Sequence, residues 1–199
     1  MTTNKRELTK DVMGLLARIQ ATAQSTEEQE LLAVAINAIL FITSTGQRYA
    51  FADFLQYLDS NAPPPVVAAF QTREEAETWL NSQPEPPDST LVLIADQYHS
   101  VLYNRELNHR RLIPLPVIEY HLGRLKREGL PPAVASFKTR EEAEAWFMSQ
   151  TEPPDQSILT ISGDSYLAVH HRNIKHRALH PFSIALDEEE QGEHDAQER

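Results

Sequence analysis

The chain has 199 residues, 41% hydrophobic and 24% charged, which places it between one domain and two and excludes global disorder. It contains no cysteine, which excludes a disulfide framework, a thiolate nucleophile and any cysteine-based zinc or iron–sulfur site. Much of the net charge of −11 is local: residues 187–199, DEEEQGEHDAQER, carry seven acids against one Arg, or −6, leaving −5 for the rest. Such a run reads as a solvated, disordered acidic tail, and the acidic balance argues against nucleic-acid binding by bulk charge.

The first segment, 1–62, reads as three helices. MTTNKRELTK has no apolar core of a signal peptide. From Lys5 to about Ala23, the residues Leu8, Val12, Leu15, Leu16 and Ile19 recur at helical spacing and share a face. Ser25-x-x-Glu28 matches a capping box and opens a second helix that runs to about Ser44, with Gly46 placed for a left-handed cap. Its middle, 31–42, is apolar on more than one side. Twelve residues interrupted by Asn37 fall short of the roughly twenty that span a bilayer. The expectation is therefore no membrane, a cytoplasmic location, and a helix packed in its own domain or against a second copy through 27–43. A third short helix over about 49–58 presents Phe51, Phe54, Leu55 and Leu58, and Pro63-Pro64-Pro65 ends it.

The remainder is a duplication. Residues 64–114 align with 131–181 at an offset of 67 without a gap, with 24 identities in 51 positions and 18 in the first 25. Each copy begins with a short apolar strand, Val66–Phe70 or Ala133–Phe137. A capping box follows, Thr72-x-x-Glu75 or Thr139-x-x-Glu142, and opens a helix with Ala76, Trp79 and Leu80, or Ala143, Trp146 and Phe147, on one face. Two strands in a hairpin come next, around 90–95 and 100–107, and around 157–162 and 167–174, with a further strand through Arg110–Leu115. The predicted fold class is α+β: a helical segment, a β-α-β-β repeat at 63–116, a linker helix at 117–130 closed by Gly129, a second repeat at 131–186, and the tail. The two units are expected to complete one another through a pseudo-twofold contact.

The Thr-Arg-Glu-Glu-Ala-Glu-x-Trp segments read as cap, dipole complement and core, because every residue there has a folding role. The repeat ends are harder to explain by folding. Arg105, His109 and Arg110 correspond to Arg172, His176 and Arg177, and 98–114 and 165–181 carry +2 and +3 in an acidic chain. Arginine offers a planar fork of donors suited to an acidic partner, so these six residues are the candidate partner-binding set. Tyr98 and Tyr103 are candidates to stack on bases, but no RNA-recognition motif accompanies them. His170, His171, His176 and His180 cluster in sequence, yet strand alternation separates neighbours and no His-Glu-x-x-His pattern exists, so no metal site is assigned. No phosphate-cradling glycine loop or nucleophile elbow is present, and no catalytic residue or cofactor is assigned.

These readings converge on a non-enzymatic cytosolic module that binds another protein, as an inhibitor, an immunity or antitoxin-like factor, or an assembly factor, with a homodimer through the N-terminal helices. The alternative is RNA or DNA binding by the basic hairpins. A third reading is a hydrolase or nuclease using His109–Arg110 and His176–Arg177 as base and phosphate stabiliser.

Overall fold

The computed structural model describes residues 5–186, with side chains from Asp11 onward. The acidic stretch 187–199 lies outside the described residues. The chain forms two compact units, Met1–Asp59 and Ser60–Arg199.

The first unit holds α1 (Lys5–Thr22), α2 (Thr26–Ser44) and α3 (Arg48–Asp59). Ser25 caps α2 by accepting from the Glu28 amide, and Gly46 sits past its end at φ 74°. Helix α2 packs with both α1 and α3, burying Leu32, Ile36 and Ile39 only by halves. No residue of α2 or α3 is fully buried.

The second unit carries both repeats and the linker helix. Repeat 1 comprises β1 (Ala68–Phe70), α4 (Arg73–Ser82), β2 (Leu91–Ile94), β3 (Gln97–Asn104) and β4 (His109–Pro114). The linker helix is α5 (Val117–Glu128). Repeat 2 comprises β5 (Ala135–Phe137), α6 (Arg140–Ser149), β6 (Gln156–Ile161), β7 (Asp164–His171) and β8 (His176–Pro181). The further strand after the hairpin forms in both copies, so each repeat is a four-stranded sheet in sequential order, its first pair parallel and the others antiparallel. They are two sheets, not one.

Local chemistry explains why these elements form. Thr72 accepts from the Glu75 amide while Glu75 reaches back to the Thr72 amide, and Thr139 accepts likewise from Glu142. Trp79 packs on Phe70 and Trp146 on Phe137, each pair 5.4 Å between ring centroids. The hairpin turn is two residues shorter than the polarity of Asp96–His99 suggests. Ile94 pairs with Gln97 across Ala95 and Asp96, both at positive φ, as a type I′ turn requires. Tyr98 therefore belongs to a strand and is buried.

Period-two alternation sorts the side chains into three cores. Val92, Ile94, Val101 and Leu112 point outward under Ala76 and Leu80 of α4. Leu159, Ile161, Ala168 and Leu179 do the same under Ala143 and Phe147 of α6. Leu93 and Tyr98 from the first sheet meet Ile158, Leu167 and Val169 from the second, joined by Ile118, Leu122 and Leu125 of α5. Each large side chain buried in this shared core is worth about 1.5–3 kcal/mol.

The contact between repeats is not a twofold one. In repeat 2 the inward hairpin residues are covered: Val169 is 0% exposed, His171 0% and Ala178 3%. Their equivalents Leu102, Asn104 and Arg111 are open, with Leu102 at 40%. The second hairpin lies over the first sheet, where Asn173 Nδ2 donates to the Val66 carbonyl and Ile174 packs on the shared core. Residue identity follows this asymmetry. The covering and receiving positions are apolar or histidine (Val66, Leu93, Tyr98; Leu167, Val169, His171), whereas their unused counterparts are Ala133, Thr160, Ser165 and Ser100, Leu102, Asn104.

Candidate functional site

The six candidate residues divide by what holds them. Arg110 and Arg177 lie on edge strands at positions that face α4 and α6. Arg110 donates through Nη1 to the carbonyls of Leu80 (3.2 Å) and Asn81 (2.9 Å) and through Nη2 to Asn108 Oδ1 (3.1 Å), with its guanidinium over the Tyr103 ring. Arg177 donates to the carbonyls of Phe147 and Gln150 and lies over the Phe147 ring. Neither helix has a basic residue in its last turn. The last carbonyls of a helix lack partners within it and carry the negative end of the dipole. An arginine some thirty residues onward supplies the missing cation and donors in both copies, and this is the folding role that the sequence conceals.

Arg172 forms an ion pair with Asp155, and Arg105 one with Glu85 at 2.7 Å in which both side chains are well exposed. Ion pairs of the second kind are weak and exchangeable. His109 is exposed at the start of β4, whereas its counterpart His176 pairs through Nε2 with Asp96 Oδ1 at 2.8 Å. The hydrogen bond from His176 holds the Asp96 carboxyl below the ordinary carboxylate range.

Of the four histidines that cluster in sequence, three converge, as strand alternation allows. His171, His176 and His180 occupy the inward face of β7 and β8, while His170 points the other way, its Nδ1 near the Pro153 carbonyl. The His171 ring stacks on His176 with centroids 6.4 Å apart, and its Nε2 lies 3.4 Å from Tyr98 Oη. Burial pushes His171 down to about 3 and His180 down to about 4, so both are neutral at physiological pH. His171 Nδ1 and His180 Nε2 are buried without a hydrogen-bond partner. His121 of α5 sits beside a related network. Arg124 donates to its Nδ1 at 3.0 Å, which leaves the proton on Nε2 to be given to Gln156 Oε1 at 2.9 Å.

His171 and His180 are buried in this cluster, while His176 reaches its edge. Among the described residues no group of three or more His, Asp or Glu side chains is arranged to hold a metal ion. His171 and His180 are too deeply buried to meet a substrate. The cluster closes the sandwich between the two sheets. The burial of Tyr98 and the bond from His176 to Asp96 are not visible in the sequence. The positions where the copies disagree would have marked them: Asp96 against Gly163, Tyr98 against Ser165, His171 against Asn104, His180 against Ile113. With Tyr98 buried, base stacking on it is ruled out.

What stays open is the inward face and tip of the β3–β4 hairpin. Leu107 is 77% exposed at the tip, beside Leu102, Arg105, His109 and Arg111. A cleft of about 210 Å³ runs along the other side of β4, lined by Arg73, Glu77, Asn81, Arg110 and Arg111. Arg73 is already held there by Glu77 and by the Leu112 carbonyl.

No protein family, curated protein or solved structure matches this chain. Among the described residues no single helix is long and apolar enough to cross a membrane.

Proposed function

We propose that the protein is a non-enzymatic protein-binding module, acting in the cytoplasm, that engages an acidic protein surface with the open face of its first hairpin. One observation carries this reading. The same strand pair in repeat 2 packs against protein, with Val169, Ile174 and Ala178 in contact or buried, while in repeat 1 the matching Leu102, Leu107 and Arg111 face solvent. Exposed leucines along the hairpin, Leu102 and Leu107, flanked by Arg105 and Arg111 combine an apolar anchor with a rim that carries two arginines, the composition of an interface centre and its border. Arg110 and Arg177 contribute to folding, so binding falls to Arg105, His109 and Arg111. An inhibitory, immunity-like or assembly role would each use such a face.

The test is capture from the native host with the wild-type chain and with an Arg105→Glu/Leu107→Asp/Arg111→Glu variant, each split into nuclease-treated and untreated halves. These substitutions are at exposed sites, so the melting temperature should be unchanged within a degree or two. The expected result is one stoichiometric protein held by the wild type and lost by the variant. Equal retention by both chains removes the hairpin as the binding face. Material that vanishes with nuclease, and whose binding falls steeply with salt, would put nucleic acid in place of a protein partner.

A further inference from the structure

Helix α2 has two apolar faces. Leu32, Ala35, Ile36, Ile39 and Ile42 are half-buried. The other face is open, with Leu31 65%, Val34 67% and Phe41 61% exposed. With Ala38, also exposed, these residues fall at 31, 34, 38 and 41, the alternating three-and-four spacing of a helix-pairing seam. An apolar helix in water is covered on all sides by protein or lipid, and here one seam is bare.

We infer that this seam pairs with the same seam of a second copy, antiparallel, to form a symmetric dimer. The residues are self-complementary only in that direction. In a twofold contact centred at Ile36, Leu31 meets Phe41 and Val34 meets Ala38, so that a bulky side chain faces a small one at the centre and two large ones close each end. Charge selects the same direction. Glu27, Glu28 and Glu30 crowd the first turns of α2 with no basic residue in its last turn, so a parallel pair would bring two acidic ends together. Antiparallel pairing separates them by the length of the helix, about 28 Å for 19 residues, and sets Glu27 opposite the uncharged Thr45.

The area also fits a dimer. Leu31, Val34 and Phe41 together expose on the order of 350 Å² per copy, a little under half of the ~800 Å² that each partner gives to a standard interface. Leu15 and Ile19 of α1, which packs along α2, are 47% and 43% exposed and extend the apolar surface. A lipid surface suits the stripe less well, because the acidic first turn repels anionic headgroups. This inference concerns the first unit and does not depend on the hairpin reading.

The experiment measures the mass of the full chain by sedimentation equilibrium, alone and with Leu31→Glu/Phe41→Glu. Both positions are exposed, so the variant should fold, which its helical circular dichroism checks. The expected wild-type mass is twice 22.6 kDa, with the variant's dissociation constant raised about 30-fold or more, the range of interface hot spots. A wild type that stays monomeric, or a variant that stays dimeric, overturns the inference. The cysteine-free sequence allows the direction to be read by crosslinking. Leu31→Cys mixed with Phe41→Cys should give the mixed disulfide, whereas strong self-crosslinking of Leu31→Cys alone overturns the antiparallel register. Flotation with neutral or anionic vesicles that is lost in the Leu31→Glu/Phe41→Glu variant would assign the stripe to a membrane surface and overturn the dimer. Leu107→Asp on the hairpin should leave the mass unchanged, so the failure of either proposal is seen separately.

Discussion

His176 in the second repeat closes on Asp96 in the first, Nε2 to Oδ1 at 2.8 Å, and the equivalent places cannot repeat the bond because Gly163 has no side chain to meet His109. The pair is one of the fastenings that make the sandwich lopsided. It is part-exposed, so its worth is modest. Asp96→Asn or His176→Ala should each lower stability by about 1 kcal/mol, a fall of about 3 °C in Tm, and the double variant should cost less than the sum. His109→Ala should stay within about 0.5 kcal/mol of wild type. Equal losses at His109 and His176 would contradict the asymmetry.

The buried histidines make stability depend on pH. His171 and His180 titrate near 3 and near 4 in the fold but near 6.5 when unfolded. Burial lowers His121 as well. Below pH 6.5 the unfolded chain therefore takes up protons that the folded chain refuses. Stability is complete above about pH 6.5 and falls steadily as the pH drops toward 4 and then 3. Asp96, held low by His176, adds to the loss at the acid end. Urea midpoints across pH 4–7 should show this slope, and His171→Phe with His180→Leu should flatten it.

Arg110 and Arg177 are predicted to matter for folding. Alanine at either position strips the end of α4 or α6 of its charged donors and should cost about 2 kcal/mol. Lysine should recover only part, since a single ammonium cannot span two carbonyls as a guanidinium does. Glutamate would set a carboxylate against carbonyl oxygens and do more damage than alanine. A charge reversal that leaves the urea midpoint untouched would refute the capping role.

Gly123 is required by a close approach. A Cβ there would meet the Leu186 carbonyl oxygen at 1.9 Å, where the segment after β8 runs along α5 and the Leu186 amide donates to the Glu119 carbonyl. Gly123→Ala should cost about 1–3 kcal/mol or displace this segment. Hydrogen exchange tells the two apart, since displacement exposes the Leu186 amide while the rest of α5 stays protected.

Much of the architecture was legible because it rests on local signals. Thr72 and Thr139 announce their helices through glutamates three residues on, and the strands appear as short apolar runs bounded by turn residues. The hairpin turn is tighter than the sequence suggests because Tyr98 and His99 look polar while the pleat carries Tyr98 inward. The candidate arginines were visible but not their tasks. Arg110 and its target carbonyls lie about thirty residues apart, and no local pattern reports such a bond.

By itself the sequence determined the duplication, the three-helix segment, the caps and the period that sorts each strand into two faces, because those depend on neighbours within a few residues. Only the tertiary structure decided that the sheets stay separate, that the second hairpin covers the first sheet while the first hairpin remains open, and that Asp96 meets His176 and Tyr98 meets His171. Two copies of one fold cannot both occupy the same side of one interface. Among the positions where they differ, those that are apolar, aromatic or histidine in one copy and mostly polar or small in the other set the direction of packing through contacts some seventy to eighty residues apart.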